Sequence, residues 1–229
     1  MPPRSPSAVL FDMDGTLLDS EPLWFIAETK TMQVIGGAWE ISDQEHSLGG
    51  PMSRVVEYMR SKLTSSAANE FSSEWVEASL LDEVIAQYNS GRIPWMSGAR
   101  ELVASARSLN LPLALVSNAP RVVVDGAHRG IIADLGYDPF SVLVVGDEVT
   151  NPKPHPQPFV TAAEALGVNP DQCLAVEDSP TGLRAAIAAG CQVVAIEQLT
   201  PLDEFTNIRR IPSLSGHSFS SLWDLVTSI

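Results

Sequence analysis

Short apolar runs that stop abruptly at polar residues recur along this chain. Ala8-Val9-Leu10-Phe11 is the first, ended by Asp12-Met13-Asp14-Gly15. Leu113 to Val116 stops at Ser117-Asn118, Val142 to Val145 at Gly146-Asp147, Leu174 to Val176 at Glu177-Asp178, and Val193 to Ile196 at Glu197. An unbroken apolar run of this length predicts a strand covered on both faces, because a half-exposed strand would alternate with polar residues. Between the runs, helical spacing predicts helices over residues 99–109, 120–130, 158–166 and 180–189, with Pro near several starts and Gly after several ends. From about residue 93 strand and helix alternate. That order predicts an α/β fold, a Rossmann-like parallel sheet with helices on both faces and ligands beyond the carboxyl ends of the strands.

Residues 18–92 break the alternation. Leu23, Ile26 and Ala27, then Val55, Val56, Met59 and Leu63, then Val76, Leu80, Val84 and Tyr88 follow helical spacing, and no strand pattern appears. The expected organisation is a core of residues 1–17 and 93–229 with a small helical insert of residues 18–92. The insert leaves just after the first strand and returns near Gly91-Arg92-Ile93-Pro94, so it should lie over the carboxyl ends of the strands as a lid.

Composition narrows the ligand. The 229 residues are 45% hydrophobic and 18% charged, as in a folded globular protein. The 28 Asp and Glu against 14 Lys and Arg, a net charge of -14, repel nucleic acid and anionic membrane surfaces at long range. An anionic ligand would need local attraction from a cation, a few basic side chains or helix N-termini. Cys173 and Cys191 lack C-x-x-C spacing and are expected as buried free thiols in a reducing compartment. The start of the chain lacks the pattern of a signal peptide, and no apolar stretch approaches the ~20 residues of a membrane span. The expected location is cytoplasmic. His46, His128, His155 and His217 lack metal-ligand spacing and are expected at the surface. The pattern leaves the oligomeric state open, with a monomer as the working expectation.

The strand ends carry the chemistry. Asp12 and Asp14 are two apart, so on extended backbone their carboxylates share a side. Such a pair either shares a proton or holds a hard cation such as Mg²⁺. Ser117 and Asn118 offer a hydroxyl, an amide and backbone N–H groups for phosphate oxygens, and Lys153, between Pro152 and Pro154, offers a point charge. Glu177 and Asp178 add carboxylates for a metal, and Gly182 permits close approach. Singly, each has a plainer reading: a helix cap for Ser117, a solvated loop charge for Lys153, a capping acid for Asp178. Their joint placement at strand ends favours a phosphate site.

In these motifs the sequence resembles the haloacid dehalogenase superfamily, in the branch of β-phosphoglucomutase and sugar-phosphate phosphatases. Asp12-Met13-Asp14-Gly15-Thr16 with Leu17 to Glu21, Val116-Ser117-Asn118, Lys153-Pro154 and Val176-Glu177-Asp178-Ser179-x-x-Gly182 match in order, and the helical insert falls where that branch carries its cap domain. The resemblance implies that Asp12 attacks phosphorus to give an aspartyl phosphate and that Asp14 is the general acid and base. It implies Mg²⁺ held by the Asp12 carboxylate, the Asp14 backbone carbonyl and Asp178, with Glu177 in support, and a phosphoryl group held by Ser117, Asn118 and Lys153. The expected ligand is a small phosphorylated metabolite, a sugar phosphate by this branch. The turn Gly49-Gly50-Pro51-Met52 with Arg54 is either the cap's substrate loop, through Gly50, Met52 and Arg54, or a plain turn between helices. Pro156-Gln157 departs from the Pro-Asp pair common in the branch.

Alternatives differ in particular residues. A dehalogenase lacks an acid-base residue at the position of Asp14. A phosphonate-cleaving relative needs a cap lysine, and Lys30 and Lys62 lie in no recognisable context. A phosphomutase shares the core motifs, but Ser20 to Phe25 lacks the histidine expected of one, which favours hydrolysis. A non-catalytic phosphate-binding protein remains open on the same fold, whereas a receiver domain would lack the insert.

Overall fold

The computed structural model describes residues 5–47, 52–89, 94–198 and 201–228. Strand β1 (Ala8–Phe11) is followed by helices α1 (Glu21–Val34), α2 (Ile41–Ser47), α3 (Met52–Ser61), α4 (Ser65–Glu70) and α5 (Ser73–Tyr88). Helix α6 (Ala99–Leu109), β2 (Leu113–Val116), α7 (Arg121–Leu135), β3 (Val142–Val144), α8 (Gln157–Ala165), β4 (Cys173–Glu177), α9 (Pro180–Ala189), β5 (Gln192–Ile196), β6 (Arg209–Ile211) and α10 (Phe219–Thr227) complete the order. The six strands form one parallel sheet in the order β3-β2-β1-β4-β5-β6. All of the five expected strands are present.

Alternation of side chains along a strand divides the core into two clusters. Val9 and Phe11 of β1 face one cluster with Val103, Val124, Ile131 and Trp223, from α6, α7 and α10. Ala8 and Leu10 face the other, with Phe159, Ala163, Leu183 and Ala186 from α8 and α9. Helices therefore cover both faces. The first cluster continues through Leu17 and Leu18 into α1, α3 and α5, where Ala27, Met32, Val56, Met59, Leu80 and Tyr88 are buried. Helices α1, α3 and α5 thus share the apolar cluster that covers one face of the sheet. Among the described residues no helix is long and apolar enough to cross a membrane.

Several features differ from the pattern. Helix α7 passes Gly130 and ends at Gly136, whose φ of +77° stops it. Gly126, inside α7, lies where Ile85 and Tyr88 of α5 approach. Strand β6 escapes notice because Arg-Arg-Ile at the sheet edge is not an apolar run, although Phe219, Leu222, Trp223 and Val226 carry legible helical spacing for α10. Cys191 is half-buried, unlike Cys173, and both thiols are free. His128 is partly sheltered and pairs with Asp138 at 2.7 Å, so not all four histidines are plain surface residues.

Candidate active site

Because the strands are parallel, their carboxyl ends lie on one side, and β1, β2 and β4 deliver residues to it from positions distant in the chain. Asp12 directly follows β1, and its backbone N–H donates to Val176 at 3.0 Å. The Lys153 ammonium, 5% exposed, donates to Asp12 Oδ1 at 2.7 Å, to the Val116 carbonyl at 2.7 Å and to Glu177 Oε1. All three N–H bonds of the lysine have acceptors, and two of them are charged. Burial works to lower its pKa, but the Asp12 and Glu177 carboxylates prevail and hold the ammonium above its ordinary range. The solvated-loop reading of Lys153 is therefore wrong.

Glu177 is fully buried. Its second oxygen, Oε2, accepts from the Ser179 N–H at 3.3 Å and hydroxyl at 3.0 Å. The Ser179 hydroxyl in turn accepts from Gly182 N–H at 3.0 Å and caps α9. A Cβ on Gly182 would sit 1.8 Å from Glu177 Oε1, so the glycine makes room for the carboxylate. Asp178 accepts from the Thr16 hydroxyl at 3.2 Å. Gly15, with φ of +79°, turns the chain beside it, and a Cβ there would lie 2.2 Å from Asp178 Oδ2. Thr16 thus joins the site from inside the first motif, and its signal in the sequence is the position two after Asp14.

Carboxylate oxygens of Asp12, Glu177 and Asp178 lie within 4.8 Å of one another. Burial, then the Asp12 charge, pushes Glu177 up to about 7 against the pull of Lys153. Burial, with the charges of Asp12 and Glu177, raises Asp178 strongly as well. One ammonium cannot neutralise three clustered carboxylates, so the donor set is short of positive charge. Hard oxygen donors in that state fit a cation such as Mg²⁺.

Asp14 does not share the partners of Asp12. Its carboxyl Oδ1 accepts from the Tyr88 hydroxyl, at the end of α5, at 3.4 Å. Burial, and then the Asp12 charge, raises its pKa to about 6 against the Tyr88 hydrogen bond and the nearby Ser20 hydroxyl, which stands buried without a bonding partner. Ser117 is buried, its N–H donates to Val144 at 2.9 Å and its hydroxyl accepts from Ala119 N–H at 3.0 Å. It precedes α7 by four residues instead of standing at the helix start. The Asn118 amide is engaged with the backbone of Lys153: its Nδ2 donates to the Lys153 carbonyl and its Oδ1 accepts from the Lys153 N–H, both at 3.0 Å. Its side chain holds the lysine loop. In the helical insert, Glu21 is pushed up to about 7 by burial and by the charge of Asp14, and Gln44 donates to its carbonyl at 2.7 Å and its carboxylate at 3.1 Å. The sequence marks Tyr88 only as a helix position and Glu21 only as part of the first motif's extension, since nothing local shows which way their side chains reach. Gly50 lies outside the described residues. Met52 packs on the main apolar cluster, and Arg54 is exposed and donates to the His46 carbonyl at 3.4 Å.

A family model described as haloacid dehalogenase-like hydrolase matches residues 6–190. The chain is 31% identical to protein CbbY of Rhodobacter capsulatus over 226 residues, covering 95% of this chain and 98% of that one. It is 32% identical to hexitol phosphatase B of Escherichia coli K12 over 228 residues, covering 97% and 96%. Among solved structures, CbbY of Rhodobacter sphaeroides, a mutant in complex with xylulose-(1,5)bisphosphate, aligns with a TM-score of 0.77 at 25% identity, covering 95% of this chain and 99% of that one. The chain belongs to the haloacid dehalogenase-like hydrolases and is an enzyme of their phosphatase type.

Proposed function

We propose that the chain is a Mg²⁺-dependent phosphatase acting on a small sugar or polyol monophosphate through an aspartyl phosphate on Asp12. The observation that carries this is the meeting of the Asp12 carboxylate with the Lys153 ammonium, Glu177 and Asp178 at the carboxyl ends of the strands. The Asp12 and Asp178 carboxylates and the Asp14 backbone carbonyl would hold Mg²⁺, with Glu177 behind them, and the ion would offset charge on the phosphoryl oxygens.

Asp12 attacks phosphorus, and the ester oxygen departs with the proton of Asp14. Burial, which raises Asp14 to about 6, keeps a useful share of it protonated near neutrality. The resulting Asp14 carboxylate then takes a proton from water, whose oxygen attacks the phosphoaspartate and frees Asp12 and phosphate. Lys153 orients Asp12 and supplies positive charge beside the transferring group; Asn118 keeps the lysine loop in place, and Ser117, next to the Val116 carbonyl that accepts from Lys153, offers a hydroxyl to the phosphoryl oxygens. Residues 18–92 act as the cap over this core. At its edge Asp19 and Glu21 are acidic, which suits a tail of hydroxyl groups that donate hydrogen bonds and disfavours a second phosphate. The hexitol phosphatase among the relatives supports that class.

The test is phosphate release from hexitol phosphates, sugar mono- and bisphosphates, nucleotides and phosphoglycolate, with Mg²⁺ and with EDTA. Metal-dependent release is expected from the polyol and sugar monophosphates and should vanish in Asp12→Asn. Interconversion of glucose 1-phosphate without release, or no turnover of any ester, would refute it.

A further inference from the structure

The cap side of the site contains one contact that the phosphatase reading leaves unused. Tyr88 is the last residue of α5, and its hydroxyl reaches Asp14 Oδ1 across 74 residues of chain. The ring is 1% exposed. Helix α5 is packed against both α1 and α7, and Tyr88 Cβ lies in van der Waals range of the α7 backbone at Gly126. Ser20, also buried, flanks both Asp14 and Tyr88. A ring confined on these sides has little rotamer freedom, so its hydroxyl is delivered to a defined place.

We propose that Tyr88 is a positioning residue for Asp14, supplied by the end of the helical insert where the chain turns back to the core. The inference rests on the phosphatase reading, in which Asp14 first gives a proton to the leaving oxygen and later takes one from water. A carboxyl has two oxygens and can rotate about its bond to Cβ. Tyr88 occupies Oδ1 as a donor and leaves Oδ2 to face the ester oxygen. The hydroxyl takes no part in bond making: no proton leaves it, and the proton transferred is the one on Asp14. At 3.4 Å the contact is long for a hydroxyl donor, a length catalytic hydrogen bonds often have before substrate binds. The contact also gives the insert a direct hold on the acid-base group, so a displaced α5 releases Asp14 from its orientation.

Tyr88→Phe tests this because it keeps the ring and removes only the hydroxyl. Two esters are compared: a hexitol or sugar monophosphate, whose alkoxide leaving group needs a proton, and p-nitrophenyl phosphate, whose leaving group does not. Correct placement of a general acid contributes roughly 10²–10⁴-fold to such steps, so partial misplacement should lower kcat/KM, which ends at departure of the leaving group and excludes the phosphoaspartate hydrolysis the two esters share, about 10-fold or more on the alkyl ester beyond any loss on the aryl ester. In the Asp14→Asn background the same substitution should cost nothing further, since the group it positions is gone. Equal losses of kcat/KM on the two esters, no loss on either, or a loss that multiplies with that of Asp14→Asn would overturn the proposal. Thermal unfolding of each variant separates lost folding from lost positioning, and the double-variant comparison stands even where Tyr88→Phe lowers the melting temperature. Metal-dependent turnover by the unaltered enzyme and its loss in Asp12→Asn bear on the phosphatase reading alone; the ratio between the two esters bears on Tyr88.

Discussion

Removing the Lys153 ammonium should damage folding as much as catalysis. In Lys153→Met the side chain keeps most of its volume, but the Asp12 and Glu177 carboxylates and the Val116 carbonyl lose the donor they share. Taking one partner out of a buried, hydrogen-bonded ion pair costs about 3–5 kcal/mol, because a charge is left without compensation. With an m-value of about 2–3 kcal/mol/M in urea, the unfolding midpoint should fall by about 1–2.5 M. Glu177 already lies at about 7 with the lysine present, through burial and the Asp12 charge, and it rises further once the lysine is gone. A carboxyl whose folded pKa exceeds its unfolded value binds more protons in the folded state, so its stability is complete at low pH and is lost as pH rises through the folded pKa. The variant should therefore recover part of its loss at pH 5.5 relative to pH 8. Glu177→Gln in the same background should restore part of the loss, more at pH 8, where the unpaired carboxyl is ionised, than at pH 5.5, where it is largely protonated. Urea titrations of the unaltered protein and of the single and double variants, all in EDTA, measure this. A single-variant loss below about 1 kcal/mol, or strictly additive effects in the double variant, would refute the argument that the ammonium offsets these two carboxylates.

Two other predictions concern neighbouring features. Gly15→Ala places a side chain on a left-handed residue and against Asp178. It should cost about 1–3 kcal/mol in thermal or urea unfolding and weaken Mg²⁺ binding, read by calorimetry, by at least about 10-fold. Glu28, buried in α1 and hydrogen-bonded by Trp39 Nε1 at 2.8 Å, is pushed up to about 7 by burial, with Glu21 and Asp43 adding to it. Its folded pKa is above the unfolded one, so stability should decline as pH rises from about 4.5 to 7 and level off above; Glu28→Gln should flatten that slope by up to about 3 kcal/mol, followed by tryptophan fluorescence in urea.

Much of the core was legible because its signals are local. A run such as Leu113 to Val116 is buried on both faces wherever it sits in a parallel sheet, and a Gly or Pro next to a helix acts on the backbone beside it. The acidic and basic residues at strand ends were legible for a related reason: parallel strands place their carboxyl ends on one side, so Asp12, Ser117 and Asp178 had to share an edge of the sheet. Strand β6 was not legible, since a three-residue edge strand containing two arginines gains its place from backbone pairing with β5 and not from apolar content.

By itself, then, the sequence determined the alternation of buried strands and helices, the helical segment after β1, and the set of chemical groups available at the strand ends. Tertiary structure alone decided how those groups divide their work. Asp12 and Asp14, expected to act from one side, take different partners: Lys153, which is 141 residues from Asp12, and Tyr88, which is 74 from Asp14. Asn118 turns out to hold the lysine loop 35 residues away, and Thr16 reaches Asp178 across 162. The reason is physical. Backbone conformation responds to neighbours within a few residues, whereas the direction of a buried polar side chain is set by whichever donor or acceptor the packed core brings within about 3 Å of it.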